Sequence, residues 1–542
     1  MPNNRKMDTT TTRLYDRLAI AALIAAAAVV LLTFRDYGLG WDDYTHAEYG
    51  DLLVAFFASG FRDQRALSFV NLYMYGGGFD LVAALLAKIL PFTVFETRRL
   101  LGGVVGLIGL IAVWRTARRV GGPPAGLLAL VLLATCPPHV GHVFMNAKDG
   151  PFAVAMAVLL LGLVRTFEEY PQPSRASRML TGIGFGLAVG SRVMGAFGVI
   201  AAVGALAFVF AIEARVAGLR PAASRVGRFV WSMLPAVLLA FVVMAIVWPW
   251  SVADPLNLFR AAGYFSHFFE KPWHELFDGA LALVTEMPRR YLPTLLALKL
   301  PEIFVALAAG GVLGALIAAL RSGLTPARRA VLFVITLTVL LPIAITVLTR
   351  PALYNGIRHF VFVLPPLAVL GGLAGGWLCE RLQRIRFAPA IVAAVIVVGI
   401  AFPVVDMVRL HPYEYTYFNR LAGGVRAARE RYMLDYWGLS FKQASQALAQ
   451  ELARRHETRP PDRRWKLAVC GPHRSPQVEL GPDFETSWDP QGADFAMMLG
   501  EFYCVQFDAP LLAEIVRDGV VYARVYDIRG RSFNTLLTIP EP

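Results

Sequence analysis

Asp42 and Asp43 stand side by side in Gly40-Trp41-Asp42-Asp43-Tyr44-Thr45-His46-Ala47-Glu48-Tyr49, just after a long apolar run. Charge next to a bilayer is costly and is usually kept for a purpose. A carboxylate can take the proton of an incoming hydroxyl as a general base. It must be ionised to do so, and nearby cations lower its pKa and keep it ionised. The candidate cations are Lys148 in Asn146-Ala147-Lys148-Asp149-Gly150-Pro151, Arg192 in Gly190-Ser191-Arg192, and Arg358, with His359, in Tyr354-Asn355-Gly356-Ile357-Arg358-His359. Cations of this kind hold a phosphate and stabilise the charge that builds up as it leaves. The set suits transfer of a group from a phosphate-linked, membrane-bound donor to a hydroxyl.

Asp149 is a third candidate acid. Tyr44, His46, and the His139 and His142 of Pro137-Pro138-His139-Val140-Gly141-His142 are candidates for the acceptor side. A further polar stretch, Tyr264 to His274, carries His267, Glu270, Lys271 and His274. Each group also has a plain structural role open to it. Asp42 can be a solvated span end, and Asp149 can favour a helix N-terminus beside Lys148. Arg192 can pair with any acid, Arg358-His359 can anchor an interface, and the histidines can cap a turn. What favours a shared site is that all of them fall on one side of the membrane.

That sidedness comes from the elements that carry them. The chain has 542 residues, 56% hydrophobic and 17% charged, where a soluble domain carries about a quarter charged residues. The apolar residues come in long runs, which defines a polytopic helical membrane protein. The net charge of +13 lies in short loops between these runs. That is the positive-inside pattern, which reports orientation and excludes a nucleic-acid partner as its reason. The runs are Leu18 to Phe34, Leu100 to Trp114, Ala125 to Cys136, Pro151 to Val164, Ile183 to Ile212, Phe229 to Trp248, Ile303 to Leu320, Ala330 to Leu348, Phe360 to Leu378 and Ile391 to Val405. Ile183 to Ile212 is too long for one span and is expected to break around Gly190-Ser191-Arg192, which gives about eleven spans at roughly 20 residues each.

Arg5, Lys6, Arg13 and Arg17 place the N-terminus in the cytoplasm. Arg115, Arg118 and Arg119 then fall on the same side, as do Arg175 and Arg178; Arg215, Arg220, Arg225 and Arg228; Arg321, Arg328 and Arg329; and Arg381, Arg384 and Arg386. The odd count puts the C-terminal segment outside. Residues 1–405 form the membrane domain, with outer loops 35–99 and 249–292; the amphipathic Phe79 to Leu90 should lie in the interface. Residues 406–542 read as a small outer α/β domain, with strands at Lys466 to Cys470 and Val520 to Asp527 and a helix at Phe441 to Arg455. Its leading stretch, His411-Pro412-Tyr413-Glu414-Tyr415-Thr416-Tyr417-Phe418-Asn419, suits an interfacial aromatic segment. Leu434 to Ser440, with Tyr436 and Trp437, suits a domain core or a sugar-stacking surface. Cys136 and Cys379 read as packing residues. Cys470 and Cys504 could pair in an oxidising compartment, which spacing alone does not show.

In order and sidedness these motifs resemble the GT-C superfamily of membrane glycosyltransferases, in the family 39-like branch of protein O-mannosyltransferases and bacterial aminoarabinose transferases. Trp41-Asp42-Asp43 resembles that family's acidic pair in the first outer loop, with Asp43 where Glu is usual. Asp149 resembles its acid in the next outer loop. Ser191-Arg192 is similar to its basic break between two short helices, and Arg358-His359 with Pro365-Pro366 to its late motif. The resemblance covers residues 15 to 405. It implies a GT-C fold, a polyprenyl-phosphate-linked sugar donor, a hydroxyl acceptor on a glycan, lipid or protein, and an inverting single displacement. Asp42 would be the base, Asp43 would orient the site, and Asp149 would position the acceptor or share the base role. The branch works without a cofactor; His139, His142 and the acids could offer ligands to a divalent cation, but their spacing is not diagnostic. The implied location is the bacterial inner membrane. The alternative is a transporter or flippase of lipid-linked substrates, which predicts ionisable groups near the midplane and a path open to both faces. A scaffold protein with a partner-binding outer domain would need no acid pair.

Overall fold

The computed structural model of the chain describes residues 9–266, 273–383, 385–531 and 536. Arg5, Lys6, His267, Glu270, Lys271 and Arg384 lie outside these residues. The first helix, α1 (Thr9–Thr33), has 25 residues, about 37 Å at 1.5 Å per residue, enough to cross a hydrocarbon core of about 30 Å. Two helices too short to be spans follow, α2 (Asp43–Ala58) and α3 (Gly78–Leu86). Then comes α4 (Val94–Ala134), whose start is a capping box: Glu96 N donates to Thr93 Oγ1 at 3.2 Å, and Thr93 N to Glu96 Oε2 at 2.9 Å. At Gly122 its backbone leaves the helical region (φ 82°, ψ 179°) ahead of Pro123 and Pro124. Glycine reaches that φ without strain, and the prolines restart a helix, so α4 is two spans in a hairpin.

The short α5 (Pro137–Met145) leads into α6 (Asp149–Glu168), the most buried of the long helices, and then α7 (Arg175–Ser191), α8 (Ala196–Ala217) and α9 (Leu219–Val247). After the short α10 (Pro249–Ala253), α11 (Asn257–Ser266) and α12 (Tyr291–Lys299) come α13 (Glu302–Leu320), α14 (Pro326–Thr349), α15 (Leu364–Leu382) and α16 (Ala388–Leu410). Among the described residues, nine helices are long and apolar enough to span a membrane. Counting α4 as two limbs, and adding α7, whose 17 residues fall just short, accounts for every span expected from the sequence. Small residues allow the helices to approach closely. A Cβ on Gly184 would lie 2.5 Å from Leu159 across α6 and α7, and one on Gly372 2.4 Å from the Ala125 carbonyl across α15 and α4.

The loop before α12 holds a hairpin, β1 (His274–Phe277) and β2 (Ala280–Leu283). Beyond α16 come the short α17 (Gly424–Ala428), then α18 (Phe441–Arg454) and α19 (Arg474–Leu480), and a five-stranded sheet of β3 (Trp465–Cys470), β4 (Phe484–Ser487), β5 (Phe495–Leu499), β6 (Leu511–Arg517) and β7 (Val520–Asp527). The order is β4-β3-β5-β7-β6, with β3 parallel to β4 and β5, and β7 antiparallel to β5 and β6. The central β5 is buried along its whole length. Cys470 and Cys504 form a disulfide.

The stretch Tyr413 to Phe418 is not interfacial. Tyr413, Tyr415, Tyr417 and Phe418 are all buried. They form a plug in which Lys299 Nζ donates to the Tyr415 and Tyr417 carbonyls at 3.4 and 3.3 Å, and Tyr415 OH donates to Asp435. Tyr413 OH donates to Gln443 Oε1 at 2.7 Å, so the junction gives Tyr413 and Tyr415 both a hydroxyl partner and apolar surroundings, as a headgroup layer does.

Candidate functional site

Four separate elements deliver the charged residues to one place. Asp42 immediately precedes α2, and Asp149 opens α6 just after Lys148, so both acids sit where helix N-termini favour negative charge. Arg192 ends α7 in an extended conformation (φ −153°, ψ 145°), and a 3-10 turn, Val193–Gly195, then starts α8. The expected helix break therefore falls on the arginine itself. Asn355 and Gly356 adopt left-handed φ values of 59° and 70°, which turn the chain into a 3-10 segment, Arg358–Val363, at the head of α15.

Lys148 Nζ lies 2.9 Å from Asp42 Oδ2. Asp149 pairs through one oxygen with Arg192, and its other oxygen is 3.3 Å from Arg358 Nε. The Tyr75 ring underlies two of the cations, 5.2 Å from Lys148 Nζ and 5.5 Å from Arg192 Cζ. Arg358 is held over Trp437 at 4.7 Å and Tyr354 at 5.0 Å. Trp41 Nε1 donates to the Tyr436 carbonyl at 3.0 Å, which ties the first outer loop to the C-terminal region. Among the described residues, the ion pairs of Lys148, Arg192 and Arg358 go to Asp42 and Asp149 alone. One positive charge is left over, and a buried excess of that sign favours an anionic ligand.

The three acids are not equivalent. Asp43 is 3% exposed and locked: Arg99 reaches both its oxygens at 2.8 and 2.5 Å, and Gly40 N donates to it at 2.7 Å. Asp149 is 2% exposed and also takes a 2.7 Å bond from Asn146 Nδ2. The Asp42 side chain is 39% exposed. Burial works against its ionisation, but Lys148, then Arg358 and His46, outweigh that and hold its carboxyl well below the usual range. Asp42 is thus the ionised carboxylate with open access, while the other two are committed to arginines.

The remaining candidates scatter around this centre. His142 Nδ1 lies 3.5 Å from Asn146 Nδ2, one residue removed from Asp149. The His359 ring meets the Tyr354 ring at 4.7 Å. His46 is buried behind the site, bonded at 2.7 Å to Asp80, which also pairs with Arg98. Tyr44 points outward under Arg474. His139 is buried, with no hydrogen bond or ion pair joining it to the cluster among the described residues. His274 is exposed at the start of β1. Among the described residues, no three or more His, Cys, Asp or Glu side chains converge as metal ligands would. A wider cavity, of about 580 Å³, lies elsewhere, lined by Arg178, Arg228 and Trp231.

Sequence reasoning missed Tyr75, Asn146 and Arg99. The signal for Tyr75 was the run Gly76-Gly77-Gly78 that follows it. Gly76 N donates to the Ser191 carbonyl at 3.1 Å, and a Cβ on Gly76 would fall 1.5 Å from the Gly190 carbonyl oxygen. Only a glycine lets the loop before α3 dock on the helix break and set Tyr75 against Arg192.

Residues 78–250 match the family model described as dolichyl-phosphate-mannose-protein mannosyltransferase. The match covers 173 of the 542 residues, and over that stretch the chain is similar to this family of membrane glycosyltransferases. The matched stretch holds Lys148, Asp149 and Arg192, whereas Asp42 and Arg358 lie outside it. No curated protein matches the chain. Among solved structures it is similar to ArnT from Cupriavidus metallidurans in the apo state, at 18% identity and a TM-score of 0.49 over 95% of this chain and 98% of that one. It is similar to the same protein bound to undecaprenyl phosphate at 16% identity and a TM-score of 0.45, over 96% and 98% of the two chains. It is also similar to the apo oligosaccharyltransferase of Archaeoglobus fulgidus, at 13% identity and a TM-score of 0.47, over 87% of this chain and 64% of that one.

Proposed function

We propose that the chain transfers a sugar from a polyprenyl-phosphate-linked donor to a hydroxyl acceptor on the outer face of a bacterial inner membrane. In this reading residues 1–405 are the catalytic membrane domain, 406–542 an outer domain, and the N-terminus is cytoplasmic. One observation carries the assignment of the base: of the three acids, Asp42 alone combines an exposed carboxylate with a strong bias to ionisation. An Asp42 oxygen takes the proton of the acceptor hydroxyl as that oxygen forms its bond to the anomeric carbon. The bond from that carbon to the phosphate oxygen breaks on the opposite side, and the electron pair leaves with the polyprenyl phosphate. The anomeric configuration is inverted. Lys148, Arg192 and Arg358 take up the charge that develops on the departing phosphate. Asp149 holds two of these cations in place, and Asp43 holds the loop that carries Asp42.

The family description supports the donor class, a sugar carried on a polyisoprenoid phosphate. The excess positive charge of the cluster supports it independently. The test is to incubate membranes containing the chain with polyprenyl-phosphate donors, each radiolabelled in its sugar. Transfer of label from one donor to an endogenous hydroxyl acceptor, with inversion at the anomeric centre, is expected. Passage of an intact labelled lipid across sealed vesicles without sugar transfer would favour the transporter instead.

A further inference from the structure

At the opposite end of the helices, four arginines line a cavity of about 140 Å³: Arg115, Arg118 and Arg119 from α4, and Arg165 from α6, with Leu161 completing the wall. Arg115 follows Arg99 along the first limb of α4 by about 24 Å at 1.5 Å per residue, so the cavity is remote from the Asp42 cluster. A single water needs roughly 10–15 Å³ of such space, which leaves room here for a multi-atom anion.

The local carboxylates do not neutralise this group. Asp16 takes Arg118 in two parallel bonds of 2.6 and 2.7 Å. Glu168 and Glu169 pair with Arg119, the second at 3.6 Å, and Glu168 is also 3.9 Å from Arg328. Among the described residues, Arg115 and Arg165 have no ion pair, and the buried Nε of Arg165 has no hydrogen-bond acceptor. Orientation by positive charge requires only that arginines stay on one side of the membrane. It does not require arginines of two helices to converge on one half-open pocket, where like charges repel.

We propose that this cavity binds a phosphate-bearing anion, with the guanidinium groups of Arg115 and Arg165 supplying the forks that its oxygens require. Guanidinium matches phosphate with paired N–H donors, which a lysine cannot reproduce. The phosphate can come from the headgroup of an anionic membrane lipid or from a free phosphate.

The test uses the full chain purified in detergent, with two probes. Native mass spectrometry measures retention of phosphatidylglycerol, and calorimetry measures binding of inorganic phosphate. The Arg115→Gln/Arg165→Gln variant should bind one of the probes at least about tenfold more weakly. Arg215→Gln/Arg220→Gln, which alters two exposed arginines at the end of α8 and the start of α9, should match the wild type. Retention of phosphatidylglycerol that inorganic phosphate does not displace identifies a lipid headgroup as the source. Direct binding and competition by inorganic phosphate identify free phosphate. If the double variant does not fold, Arg115→Gln alone, at an exposed position, gives the reading. Failure of both probes to bind, or an equal loss in the Arg215/Arg220 control, overturns the proposal.

Discussion

At the residue scale, Asp42, Asp43 and Asp149 should fail in different ways when altered. Asp43→Ala would strand Arg99, which is 3% exposed, without its carboxylate. Breaking a buried pair in this way costs about 3–5 kcal/mol. The expected result is a lower thermal midpoint and poor membrane yield, seen in a detergent melting assay. Asp42 should instead show itself in the pH profile. Its carboxyl is held well below the usual range, so the base stays ionised and kcat/KM should not decline from pH 7 to pH 5. Activity is lost only as pH falls through the lowered value. Lys148→Met removes the cation that contributes most to that lowering. It should move the acid limb of kcat/KM up toward or past the ordinary aspartate value of about 3.9. An unmoved limb would show that Asp42 is not the titrating group. These charged residues were legible in the sequence because ionisable groups next to apolar runs stand out. Tyr75 was not, because an aromatic residue beside a span looks the same whether it faces lipid, core or a cation.

At the scale of elements, the site depends on how loops dock. Gly76→Ala would push the first outer loop off the Gly190 carbonyl and carry Tyr75 away from Arg192. Transfer should fall by at least about tenfold while the helices still insert, as activity and protease protection measured on the same membranes would show. The junction with the C-terminal region carries a second prediction. Glu501 accepts from the backbone N–H groups of Leu434 and Asp435 at 3.0 and 2.5 Å, and burial pushes its carboxyl up to about 8. A folded pKa raised above the unfolded one stabilises fully at low pH, and that contribution is lost as pH rises through about 8. The thermal midpoint of the wild type should therefore drop between pH 5 and pH 9 by more than that of Glu501→Gln. The helix break at Arg192, the strands β3 and β7 and the helix α18 were legible from glycine placement and periodicity. β4 was not, because four residues carry too little pattern, and β5 and β6 were not, because Phe495–Leu499 is apolar throughout and Leu511–Arg517 fits a helix period as well as a strand period. The aromatic run from Tyr413 to Phe418 misled because a buried plug and a membrane belt have the same composition.

At the scale of the whole molecule, charge sorts the two ends. Acids and cations gather on the face that carries the sheet, and arginines line the other. The Cys470–Cys504 disulfide closes a loop of sequence separation 34, worth about 4 kcal/mol by the chain-entropy estimate. Such a bond persists in an oxidising compartment. Differential alkylation of the chain from intact cells should find this pair oxidised and Cys136 and Cys379 reduced. Free thiols at Cys470 and Cys504 would contradict the outward orientation. The overall helical plan could be read from run length and arginine placement alone. That Asp42, Lys148, Asp149, Arg192 and Arg358 share one face could be read the same way; which acid pairs with which cation could not, because it depends on packing between helices far apart in the chain. The most direct test compares kcat for Asp42→Asn, Asp43→Asn and Asp149→Asn in proteoliposomes supplied with a saturating polyprenyl-phosphate sugar donor. The account predicts that Asp42→Asn folds, retains donor binding and loses about 10²–10⁴-fold in kcat, the range of a missing general base. Wild-type turnover in Asp42→Asn would contradict it.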